Sequence, residues 1–130
     1  MCSSDLYLNA PAGESINIAA VNSSDAIVLS SAGGMKIDGP VNGPGAISLV
    51  SGGLVTMTPN ADVHATTLGV VVRAGALTMQ DAGDGVNAAR MRVDAGTIDI
   101  ETTGDALVTG IQSGNGTVGA VRIVSTAGHI

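Results

Sequence analysis

The stretch AIVLSSAGGMKI at residues 26–37 is written again at residues 46–57 as AISLVSGGLVTM. Variants follow at 69–79 (GVVVRAGALTM), 89–100 (ARMRVDAGTIDI) and 120–130 (AVRIVSTAGHI), and a degraded copy, LYLNAPAGESINI, starts at Leu6. The first apolar residues of the copies, Leu6, Ile27, Ile47, Val70, Met91 and Val121, are separated by 21, 20, 23, 21 and 30 residues. A period near 21 marks a repeat architecture: one unit cannot bury its own apolar face, so stacking of neighbours has to supply the core.

Within each unit the apolar residues alternate. Ile27 and Leu29 face one way and Val28 the other; Met35 and Ile37 match across Lys36, and Ile98 and Ile100 across Asp99. A period of two is that of strand, not helix. A third, briefer apolar touch falls at Val21, Val41, Val63, Val86 and Val108. Three short strands per repeat make one rung of a parallel β-helix, and neighbouring rungs stack roughly 4.8 Å apart, so about six coils of roughly 21 residues predict a prism on the order of 30 Å long. The phase predicts one inner column of Leu8, Leu29, Leu49, Val72, Val93 and Ile123, and another of Ile18, Ile37, Met57, Met79 and Ile100. The surplus length between Ile100 and Val121 predicts an enlarged loop near residues 101–119, centred on Gly110–Gly119.

Composition agrees with such a core. The chain has no Trp, no Phe and one Tyr, Tyr7, so no large ring can anchor a globular interior and aliphatic columns must do so. Nineteen glycines in 130 residues exceed the usual share of about 7% and lack the period of three of collagen. They read as turns between strands. A net charge of −6 with five basic residues speaks against nucleic acid and against anionic membrane surfaces, whose phosphates are bound through Lys and Arg. No run reaches the roughly 18 apolar residues of a spanning helix, so membrane insertion of this segment is not expected. The single cysteine, Cys2, leaves no disulfide framework or thiolate metal site, and no basic and apolar leader pattern is visible. The opening MCSSDL matches a translated sequencing adapter, so residues 1–6 read as a scar or truncation and residues 7–130 as a single β-helix segment, a piece of a longer solenoid.

The polar residues offer few sites. The outward column after the second strand reads Ala19, Asp38, Thr58, Gln80, Glu101. Asp38 and Glu101 would stand three rungs, roughly 14 Å, apart, whereas paired glycosidase carboxylates lie about 5 to 9.5 Å apart. The column after the first strand reads Ser30, Val50, Arg73, Asp94, Val124, which predicts an Arg73–Asp94 cross-strand pair. One position earlier run Val28, Ser48, Val71, Arg92 and Arg122. Arg92 over Arg122 could hold a small anion, in a mixed-charge surround of Asp94, Asp99 and Glu101. DAGDG at 81–85 lacks the ligand spacing of a calcium loop and reads as a turn. His64 and His129 stand apart without a third ligand, and no Ser/His/Asp set can be assembled. An ice-binding Thr array is not expected either: Thr66 and Thr67, or Thr102 and Thr103, occur as pairs, but only Thr56 and Thr78 share a column. The expectation is therefore no catalytic residue, no metal and no cofactor.

The AISLVSGG type of strand and turn, with Thr, Ser, Asn and Gly at the outward positions, resembles the repeat region of filamentous-haemagglutinin-like adhesins and related autotransporter passengers of Gram-negative bacteria. The likeness runs from about residue 6 to the end. It implies a right-handed β-helix, passage across the outer membrane, and an extracellular or outer-membrane-surface role in attachment. The Asn-Pro-Asn motif of the secretion domain in that family does not occur here, so the likeness concerns the shaft. Together these readings predict a non-catalytic structural or adhesive segment of a large secreted or surface-exposed protein. Its partners would be the flanking β-helix coils of the parent chain and host or bacterial surface molecules. The rival is a β-helical carbohydrate-active enzyme or binding module whose active coils lie outside the segment.

Overall fold

The computed structural model describes residues 6–10, 15–23, 25–43, 45–65, 69–81, 83, 88–93, 97–108, 110–113 and 121–130, with 6–10 and 113 described as strand backbone. The chain winds through three sheets in turn. The first circuit is β1 (Leu6–Ala10), β2 (Ile16–Ile18) and β3 (Val21–Asn22), and the second is β4 (Ile27–Ser31), β5 (Met35–Ile37) and β6 (Pro40–Gly43). The third is β7 (Ala46–Ser51), β8 (Leu54–Met57) and β9 (Asp62–Ala65), and the fourth β10 (Gly69–Ala74), β11 (Ala76–Met79) and β12 (Arg90–Val93). The fifth is β13 (Thr97–Thr102), β14 (Ala106–Leu107) and β15 (Ile111–Ser113), after which β16 (Val121–Ser125) re-enters the first sheet. Strands of like position pair in parallel, in the orders β1-β4-β7-β10-β13-β16, β2-β5-β8-β11-β14 and β3-β6-β9-β12-β15. The chain is an all-β parallel solenoid with no helix among the described residues. It falls short of the six coils expected: about four turns, β4 to β15, carry the continuous three-sided core.

The interior is aliphatic, and like lies on like. In the first sheet Leu8, Leu29, Leu49, Val72, Ile100 and Ile123 share a register position. In the second, Ile18, Ile37, Met57 and Met79 do so, and in the third Val21, Val41, Val63, Met91 and Ile111. Leu29, Leu49, Val72 and Ile100 are fully buried. Each such side chain contributes about 1.5–3 kcal/mol by leaving water. No ring is needed to fill a prism this narrow.

The expected columns hold up to Met79 and slip by one sheet beyond it. Ile100, not Val93, follows Val72 in the first sheet, while Val93 lies beside Ala65 in the third. Met91, not Val86, continues the column after Val63; Val86 lies outside the described residues. Val108, expected in that same column, instead follows β14 in the second sheet, partly buried against the core. The cause is the corner between β11 and β12. Residues 80–89 fill it, against only 38–39 and 58–61 in the two preceding circuits, and Asp81 and Ala88 form an isolated antiparallel bridge across it. ARMRVDAGTIDI is thus a third-sheet strand followed by a first-sheet strand. The interval 101–119, expected to be loop, carries the end of β13 and all of β14 and β15, with residues 114–120 outside the described set.

Small residues make the corner from the first sheet to the second. Ser31, Ser51, Ala74, Thr102 and Ser125 end successive first-sheet strands. Four of them donate hydroxyl hydrogen bonds to turn carbonyls: Ser31 to Gly34 at 2.9 Å, Ser51 to Gly33 at 2.7 Å, and Thr102 and Ser125 to Gly104 at 2.7 and 2.8 Å. The hydroxyls add a second hydrogen bond to the Gly33 and Gly34 oxygens, which also accept the N–H of Gly53 and Ile16 from neighbouring coils, and supply two to that of Gly104. Gly52 stands so close to the coil below that a Cβ there would overlap the carbonyl oxygen of Ala32.

Candidate functional site

The chemistry-bearing side chains lie outside, so each sheet presents a separate surface. On the first sheet, β10, β13 and β16 are strapped together by Arg73, Asp99, Glu101 and Arg122. Arg73 Nη2 meets Asp99 Oδ2 at 2.9 Å, and Arg73 Nη1 donates to the carbonyls of Val72 and Asp99. Arg122 Nη1 donates to Asp99 Oδ1 at 2.8 Å and to Glu101 Oε2 at 3.2 Å. The Arg122 guanidinium, and next that of Arg73, hold the Asp99 carboxyl below its ordinary pKa, while Asp99 and Glu101 raise that of Arg122. Asp99 thus bridges two cations across three coils. Exposed pairs of this kind add little individually, but their geometry fixes register. The expected partner of Arg73, Asp94, lies outside the described residues; in its column Arg73 is followed by Glu101, and its ion pair is with Asp99.

The third sheet carries a different lattice. Its outward column reads Asn22, Asn42, His64, Arg92, Gln112, planar hydrogen-bonding groups throughout. Asn42 Nδ2 donates to Asn22 Oδ1 at 3.2 Å. Arg92 grips Asp62 as a fork, with Nε to Oδ1 at 2.9 Å and Nη2 to Oδ2 at 2.6 Å. Beside it the column Pro40, Asp62, Arg90 brings a second guanidinium to the same face. Arg90 is exposed and enters no ion pair among the described residues. It divides two hollows. One, of about 250 Å³, is lined by Arg90, Arg92, Gly110, Ile111 and Gln112; the other, of about 150 Å³, by Pro59, Asn60, Ala61, Asp62, Ala88 and Arg90. Arg92 therefore does not lie over Arg122, as the sequence phase suggested: the two occupy different sheets, and the neighbour of Arg92 is Arg90. Sequence reasoning did not single out Arg90; the alternation of outward Arg90 and Arg92 around buried Met91 was the signal available.

The remaining candidates separate. Thr58 Oγ1 donates to Asp38 Oδ1 at 2.6 Å at the corner after the second sheet, whereas Glu101 is on the first sheet, so Asp38 and Glu101 share no column. The second sheet presents Asn17, Lys36, Thr56, Thr78 and Leu107 in one outward column. Thr56 and Thr78 are neighbours as expected; Thr102 is buried, and Thr66 and Thr67 lie outside the described residues. His64 is on the third sheet. His129 lies beside Asp105, whose carboxyl accepts the His129 backbone N–H at 2.9 Å and is held below its ordinary pKa by that contact. Asp81 Oδ1 accepts the Gly83 N–H at 2.8 Å, a turn, while Ala82, Asp84 and Gly85 of the DAGDG stretch lie outside the described residues. Among the described residues no three His, Cys, Asp or Glu side chains gather as a metal site, and no helix is long and apolar enough to cross a membrane. No family model, no curated protein and no solved structure matches the chain.

Proposed function

We propose that the chain is a non-catalytic shaft segment of a larger exported bacterial protein, a rigid β-solenoid that displays adhesive side chains at the cell surface. The observation that carries this reading is the unbroken parallel register of three sheets over an aliphatic interior. Such a body is stabilised by neighbour-to-neighbour stacking and lengthens by adding coils, which suits a spacer. Its outer faces place side chains on a lattice repeating about every 4.8 Å, a surface on which several weak contacts can act together. The likeness of AISLVSGG to adhesin shafts supports export and attachment, and the partners would be flanking coils and surface molecules of other cells.

The test uses antibodies raised against the recombinant chain. Labelling of intact source cells, removed by external protease, is the expected result; labelling only after permeabilisation would refute export. Turnover of any polysaccharide by the purified chain would refute the non-catalytic half and favour a carbohydrate-active module.

A further inference from the structure

We infer that the hollow at Arg90, Arg92 and Gln112 on the third sheet binds the carboxylate of an acidic saccharide. The inference goes beyond the shaft reading, which would survive its failure.

The three sheets differ in what they offer a ligand. Outward columns of the first sheet mix valine with charge, and that of the second ends in Leu107, 59% exposed. The third-sheet column from Asn22 to Gln112 contains only side chains that donate or accept hydrogen bonds. The charge is also local. Asp62 takes the fork of Arg92 with both its oxygens, and the directly opposed Arg90 enters no ion pair among the described residues, so β9 and β12 present two guanidinium groups and one carboxylate on this face. Arginine presents its donors in a plane that matches a carboxylate.

Shape narrows the class. The 250 Å³ hollow is lined by Arg90, Arg92, Gly110, Ile111 and Gln112, with the Ile111 side chain turned to the core and packed there. A ligand filling it needs one anionic group at the guanidinium end and hydroxyls for the Gln112 amide. A uronate unit has both. A bare inorganic anion would leave most of the hollow empty, and an acidic peptide offers few hydroxyls.

The test titrates the folded chain with oligogalacturonate while recording amide and arginine side-chain NMR shifts. Saturable shifts at Arg90, Gly110 and Gln112 are expected. Arg90→Gln should weaken binding about tenfold, the loss expected when one charge-assisted contact goes, and Arg122→Gln on the other sheet should leave it within about twofold. Gln112→Ala, which leaves both arginines in place, should also weaken binding, and unchanged far-UV circular dichroism would certify each variant as folded. Absence of shifts at millimolar ligand would overturn the site, as would equal weakening by Arg122→Gln. Equal binding of polyglutamate would overturn the saccharide class, and equal binding of a neutral glucan the role of the carboxylate.

Discussion

Truncating Leu49 to alanine probes the stacked core where it is densest. Leu49 is fully buried in the first sheet, paired to Leu29 on one side and Val72 on the other, so its loss empties a space between two coils that are both fixed by further neighbours. Little collapse is available to a column pinned on both sides. Leu-to-Ala changes at such sites cost about 2–5 kcal/mol, the upper part of the range applying where relaxation is poorest, and the expectation here is about 4 kcal/mol. At a typical sensitivity of roughly 4 °C per kcal/mol for a domain of this size, Tm falls by about 15 °C. Leu49→Asp adds the burial of an unpaired charge and should abolish folding. The control is one residue away: Ser48 points outward between Val28 and Val71, and Ser48→Asp should change stability by less than about 0.5 kcal/mol. Urea denaturation of the three variants is the assay. Equal losses at positions 48 and 49 would refute the inward and outward assignment.

Glycine substitutions should divide by what lies above them. Gly52→Ala, whose Cβ would overlap the Ala32 carbonyl, should cost on the order of 1–3 kcal/mol from forced separation of two coils. Gly83→Ala meets open space but sits at a φ of 84°, so only the left-handed backbone penalty of about 1–2 kcal/mol applies. Acid should loosen the Asp99 strap: its folded-state pKa is depressed by Arg122 and Arg73, so its stabilisation is complete above the ordinary carboxylate range near 4 and is lost as pH falls through the lower folded value. Stability measured from pH 6 down to 2 should therefore decline below about pH 4, and Arg122→Gln should flatten part of that decline; an unchanged profile would refute the strap. Removing the hydroxyl of Thr102 by Thr102→Val should cost about 0.5–1.5 kcal/mol, because the Gly104 carbonyl keeps its bond from Ser125, and adding Ser125→Ala should raise the loss further.

The strand character, the three touches per repeat and the columns as far as Met79 were legible because alternation and spacing translate directly into sheet faces. Beyond Met79 alternation alone misled, since a period of two reads the same on any of the three sheets. Met91 and Val93 look like a first-sheet pair, and Ala95–Gly96 imitates the corner that follows one. The better marker was the small inward residue before the glycine turn: Ser31, Ser51 and Ala74 are continued by Thr102 in ETTG and by Ser125 in STAG, not by anything in RVDAG. The polar pairs failed with the phase. Asp99, taken for a neighbour of the arginine column, is its keystone, and the place of β12 on the third sheet is what sets Arg90 beside Asp62. A side-chain fork such as Arg92–Asp62, thirty residues apart in sequence, depends on the insertion at residues 80–89 and has no local signature.

The most direct test of the solenoid is the contact made by Val72 across its far strand edge. Inter-strand amide and Hα nuclear Overhauser effects in the isotope-labelled chain report which backbone lies there. Contacts from Val72 to Ile100 and onward from Ile100 to Ile123, with Met91 against Val63, are the predicted result. Contacts from Val72 to Val93, or antiparallel cross-peaks between any two first-sheet strands, would contradict the parallel three-sheet winding on which the account rests.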